Sequence, residues 1–141
     1  MNKIFDEKLL NRDITVNTVD VLKNKKNIGI YFSKLNCDPC VVFTTKLSDI
    51  YNKIKDIDND LLEIIFVSFD IMDQLFDINY NKMPFLALPY SNFIQNDRIK
   101  NMFNINAIPT LLILDSDGNL KIKNGELLMK NDINIIVNKL Q

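Results

Sequence analysis

The chain has 141 residues, the length of one ordinary domain, with 47% hydrophobic and 25% charged residues. Its formal net charge of −1 gives no general attraction to nucleic acid or to an acidic membrane surface, and no apolar run approaches the roughly 20 residues that a membrane-spanning helix needs. A domain of this size buries about two-thirds of its unfolded surface, so it needs no disulfide or metal staple to fold.

Taken in order, residues 1–7 turn acidic too early for a secretory signal, so a cytoplasmic protein is expected, as a single domain over 1–141 and a monomer. A targeting segment removed from this sequence would leave no trace in it. Ile14-Thr15-Val16 suits a short strand that turns near Asn17. Residues 28–32 (Ile-Gly-Ile-Tyr-Phe) form a compact run of strand formers, read as a buried central strand. The period then changes. Phe43, Leu47, Ile50, Ile54 and Ile57 step by four and three, which predicts an amphipathic helix over 38–57 with those residues inward. A second buried strand is expected over 62–69, then a helix over 71–78 with Ile71, Leu75 and Ile78 inward. Residues 83–90 are apolar, but Pro84 and Pro89 disfavour a regular element, so this is read as a loop that must be covered. A helix over 95–103 turns Ile99, Met102 and Phe103 inward, and Pro109 opens a third strand over 110–114. Asp115-Ser116-Asp117-Gly118-Asn119 is a turn signal, 120–123 alternate as a half-exposed strand, and Ile133, Ile136, Val137 and Leu140 mark a final helix capped by Asn131 or Asp132. The order β-α-β-α-loop-α-β-β-α predicts an α/β fold: a central mixed sheet flanked by helices on both faces.

Chemistry concentrates at Asn36-Cys37-Asp38-Pro39-Cys40, which holds the only two cysteines of a chain without histidine. A Cys-x-x-Cys pair serves zinc binding, a structural disulfide or thiol–disulfide exchange. Structural zinc takes four Cys or His ligands, and this chain offers two, so a closed site needs carboxylates or a second chain. A structural bridge over so small a loop removes little unfolded-state entropy. Exchange is favoured by position. Where a buried strand hands over to a helix, Cys37 falls at the helix N-terminus, whose free N–H groups stabilise a thiolate, and Cys40 falls one turn in. Cys37 is then the attacking thiol and Cys40 the resolving one. Asp38 opposes ionisation of Cys37 while favouring the helix start.

Several segments together resemble the thioredoxin superfamily, and within it the tryparedoxin and nucleoredoxin-like group. They are Tyr31-Phe32-Ser33, Cys37-Asp38-Pro39-Cys40 followed by Phe43-Thr44, Val67-Ser68-Phe69-Asp70, Lys82-Met83-Pro84-Phe85-Leu86-Ala87-Leu88-Pro89-Tyr90, and Ile108-Pro109-Thr110-Leu111. The resemblance implies a thioredoxin-like fold with Pro109 cis and facing the cysteines. It implies Cys37 and Cys40 as catalytic residues, and Asn36, Asp38, Pro39, Phe85, Ile108 and Pro109 as substrate contacts. No metal or cofactor is implied beyond a redox-active Cys37–Cys40 disulfide. The implied partners are disulfide-containing proteins, a peroxiredoxin among them, and an upstream reductase or small dithiol donor. A redox-sensing binding module with little turnover is the competing expectation, because Asn36 stands where relatives carry Trp. Tyr31 stands where thioredoxin has a buried proton-shuttling Asp, and Val41 where relatives carry a basic residue.

Overall fold

The computed structural model describes residues 4–141; residues 1–3, the start of the acidic N-terminal stretch, lie outside the described residues. Two strands carry the centre. β3 (Asn27–Ser33) and β4 (Glu63–Ser68) are buried along their whole length, as continuous β-branched and aromatic runs require when both sheet faces are covered. They pair in parallel, from Ile28 opposite Glu63 to Ser33 opposite Ser68. Parallel pairing needs a crossover, and α2 (Asp38–Ile57) supplies it. β6 (Thr110–Asp115) flanks β3 antiparallel, and β7 (Leu120–Ile122) closes a hairpin on it through the Asp115–Asn119 turn, where Gly118 adopts a φ of 89°.

β1 (Lys8–Asn11) and β2 (Ile14–Asn17) form a second hairpin, and β5 (Leu86–Ala87) joins it to the centre. The strand order is β2-β1-β5-β4-β3-β6-β7 in one mixed sheet. The remaining helices are α1 (Thr18–Leu22), α3 (Asp73–Tyr80), α4 (Phe93–Met102), α5 (Gly125–Leu128) and α6 (Ile133–Leu140). Side chains alternate along each strand, and this alternation builds two cores. Tyr31, Ile64, Phe66, Leu111 and Ile113 face α2, α3 and α6; Ile28, Ile30, Phe32, Ile65, Val67, Leu112 and Leu114 face α1 and α4. The expected mixed sheet with helices on both faces is what forms.

The differences from expectation are local. β1, α1 and α5 carried too weak a pattern to be read. The 83–90 segment is covered, as required, but contains β5, which exists because Ile65 and Phe66 of β4 offer it a parallel partner. α3 turns Phe76 and Tyr80 inward, leaving Ile71 86% and Ile78 48% exposed. The two aromatic rings stack on Phe66 (5.8 and 6.3 Å between centroids) and win the inward stripe by the larger area they bury. Ile57 is exposed, because α2 ends beside it at Asp58, and Met102 is exposed at the end of α4. Asp132 caps α6 by position, without a side-chain bond.

Candidate active site

β3 ends at Ser33, and four residues later Cys37 is the N-cap of α2. Its backbone is extended (φ −147°, ψ 104°), so its side chain folds back over the first turn, where Cys37 Sγ accepts the Cys40 N–H at 3.3 Å. A cap oxygen ordinarily takes this place; here sulfur satisfies a free N–H of the first turn. Pro39 sits in that turn, where its missing N–H costs nothing. The two sulfurs are bonded to each other, with Cα atoms 5.2 Å apart.

The sulfurs occupy different media. Cys37 is half-buried, and its neighbours Asn36, Asp38 and Pro39 are exposed, while Cys40 is 1% exposed. Beneath Cys40 lie hydroxyls. The Tyr31 hydroxyl, fully buried, shares a 2.7 Å hydrogen bond with Thr44 Oγ1 and donates to the Cys40 carbonyl at 3.4 Å. Burial pushes the Tyr31 phenol above its ordinary pKa, so it stays a neutral donor. Ser33, two positions along β3 and therefore on the same face, is fully buried, and its Oγ has no partner among the described residues.

The Ile108–Pro109 peptide is cis, as expected. Phe32 pairs with Thr110, which places Pro109 across from Ser33, at the sheet end that leads into Cys37. Ile108 and Pro109 are both half-buried there. Phe85 departs from expectation. It is fully buried and packs edge-on against Tyr31 and Tyr51 (centroids 6.1 and 5.5 Å), so it supports Tyr31 and cannot touch a substrate. Its own carbonyl accepts the Tyr80 hydroxyl at 2.7 Å, which fixes the segment inward.

One residue of the site had no role assigned from sequence. Asp70, 8% exposed, accepts the Leu35 N–H at 2.7 Å, the Ser68 hydroxyl at 2.7 Å and the Asn79 amide at 3.4 Å; its carbonyl accepts the Tyr90 hydroxyl at 2.7 Å. A buried carboxylate filled with donors is a fixed post, and this one ties down the loop two residues before Cys37. The signals for it were its place just past a buried strand and in the Val67-Ser68-Phe69-Asp70 segment, neither of which gave it a role.

Residues 24–120 match a family model described as thioredoxin-like. Mouse (Mus musculus) nucleoredoxin is 37% identical over 106 residues, 75% of this chain but 24% of that protein, so the chain spans about a quarter of the length of this curated relative. Among solved structures, native tryparedoxin I from Crithidia fasciculata is 30% identical with a TM-score of 0.84, over 93% of this chain and 90% of that one. A tryparedoxin II solved in complex with glutathionylspermidine is 27% identical with a TM-score of 0.83, over 91% and 88%.

Proposed function

The chain belongs to the thioredoxin-like oxidoreductase family, and on that footing we propose that it is a thiol–disulfide oxidoreductase that reduces protein disulfides. The observation that carries the reading is the placement of the pair: one sulfur at a helix N-cap with solvent access, the other one turn in and buried. In the reduced protein the Cys40 N–H and the helix dipole favour a thiolate at Cys37. That thiolate attacks a substrate disulfide. A bond forms from Cys37 Sγ to one substrate sulfur, and the other substrate sulfur leaves as a thiolate. Cys40 then gives up its proton and attacks Cys37 Sγ. The Cys37–Cys40 disulfide forms, the second substrate sulfur departs, and the proton ends on a departing thiolate. Two electrons pass from the dithiol to the substrate, and an external dithiol restores the pair.

The hydroxyls of Tyr31 and Thr44 take the place of a buried carboxylate near Cys40 and act as neutral hydrogen-bond groups there. Asn36, Asp38, Pro39, Ile108 and Pro109 surround the approach to Cys37 and are the proposed substrate contacts. Protein disulfides such as those of a peroxiredoxin are the proposed substrates, and an upstream reductase or a small dithiol the proposed donor. The setting is a reducing compartment.

The test is reduction of insulin or of an oxidised peroxiredoxin by wild type and by Cys37→Ser; equal rates refute the proposal. The potential of the couple gives its direction. A value near roughly −270 mV marks a reductant, and one near −120 mV an oxidant.

A further inference from the structure

A groove of about 650 Å³ opens where the chain leaves β4 for α3, lined by Ile71, Met72, Tyr90 and Phe93 together with Asp73 and Asp77. That volume lies within the range of ligand clefts, which is roughly 300–1,000 Å³. Its floor is fixed: Tyr90 packs on Phe76 at 5.4 Å and on Phe93 at 5.7 Å. Its rim is apolar and open to solvent. Ile71 is 86% exposed, Phe93 62% and Met72 48%. So many large apolar side chains in one patch mark a contact surface.

The groove is joined to the reactive sulfur through Asp70. That residue directly precedes Ile71, receives the Tyr90 hydroxyl on its carbonyl, and holds Leu35, two residues from Cys37, with its carboxylate. Its charge is of one sign. Asp73 and Asp77 are one turn apart on α3 and exposed; neither is in an ion pair among the described residues, no Lys or Arg lines the groove, and Arg12, which lines the adjoining cavity with Asp77, is held on the Tyr80 ring and the Tyr80 and Phe85 carbonyls. Like charges at this spacing repel each other until a cation arrives. Asp38, also exposed, puts a third carboxylate beside Cys37. A second copy of the chain would meet this edge with the same two carboxylates, so the complementary occupant is a segment of opposite charge.

We propose that this groove seats a basic, apolar segment of the protein substrate next to the disulfide being reduced, so that the enzyme selects disulfides flanked by Lys or Arg together with large hydrophobic side chains. The proposal rests on the reductase reading of Cys37 and Cys40.

The test uses the full chain with two synthetic peptides that share one intramolecular disulfide and one apolar flank, and differ only in carrying three Lys or three Glu. A small disulfide, 2-hydroxyethyl disulfide, is the reference substrate. Wild type is expected to show a KM about five- to tenfold lower for the Lys peptide. Asp73→Lys combined with Asp77→Lys reverses that preference, and Ile71→Ser combined with Phe93→Ser raises KM for both peptides with kcat unchanged. The rate on the small disulfide stays constant in all of them. Equal KM for the two peptides in wild type, or variants that leave KM unmoved, overturns the proposal. If the small disulfide is not reduced at all, the reductase reading has failed. The groove is then judged by fluorescence anisotropy of labelled, cysteine-free Lys and Glu peptides, where equal affinity overturns it and tighter Lys-peptide binding, lost in the Asp73/Asp77 double variant, upholds it.

Discussion

Cys37 and Cys40 are three positions apart on one turn of α2, yet the first faces a rim of Asn36, Asp38 and Pro39 while the second sits against Tyr31 and Thr44 with 1% of its surface exposed. Helix geometry produces this split. A residue at the N-cap keeps extended backbone and stays at the surface, whereas the residue one turn later lies over the sheet. The split also divides the labour of the surrounding residues. Those under Cys40 belong to the core; those around Cys37 border the solvent side, from which the proposed substrates approach.

The largest expected effect isolates the outer sulfur. Cys37→Ser reduces the insulin-reduction rate to that of the added dithiol alone, whereas Cys40→Ser accumulates a mixed disulfide with substrate, visible as a reductant-sensitive band on a non-reducing gel. Both effects exchanged between the two positions would reverse the assignment of roles.

The inner side is tested by stability. Phe85→Ala removes a ring that packs on Tyr31 and Tyr51 and is expected to cost about 3–5 kcal/mol in denaturant unfolding, while Asn36→Ala on the outer rim stays within about 0.5 kcal/mol. Next comes the tie between the two sides. Asp70→Ala leaves the Leu35 N–H and the Ser68 hydroxyl without their acceptor, at a cost of about 2–4 kcal/mol. The loop before Cys37 then loosens, which faster amide exchange at Leu35 reports. Tyr31→Phe keeps the ring and deletes the hydroxyl that meets Thr44, for about 1 kcal/mol. The smallest effect lies at the outer rim. Asp38→Asn lowers the Cys37 thiol pKa by removing an adjacent negative charge, and alkylation of the reduced protein at pH 7 speeds up about two- to threefold. An unchanged or higher thiol pKa in that variant sinks the electrostatic account.

Much of this was legible in the residues. The bounds of α2 agree with the 38–57 helix read from the spacing of Phe43, Leu47, Ile50 and Ile54, because a long amphipathic stripe has one way to bury itself. The buried central strands were equally plain, since continuous apolar runs fit a sheet covered on both faces. The cysteine pair at the strand-to-helix junction needed only its sequence position. α3 was misread at Ile71 and Ile78, because periodicity counts apolar residues without weighing them, and the aromatic area of Phe76 and Tyr80 prevailed. β1 and β5 are short and have no pattern of their own; pairing with neighbours makes them strands.

The sequence by itself determined the α/β class, the central strands, the long helix and the chemistry available at Cys37 and Cys40, since these rest on local spacing and residue type. Tertiary structure alone decided what depends on residues far apart in the chain. It put Phe85 in the core rather than on the recognition surface, because the 83–90 segment is drawn in by β4 and Tyr80. It made Asp70 the anchor of the loop before Cys37, through donors 35 residues upstream and 20 residues downstream. And it left Ile71 and Phe93 exposed in one groove, the surface to which the substrate contact is proposed, because neither lies on the inward stripe of its segment.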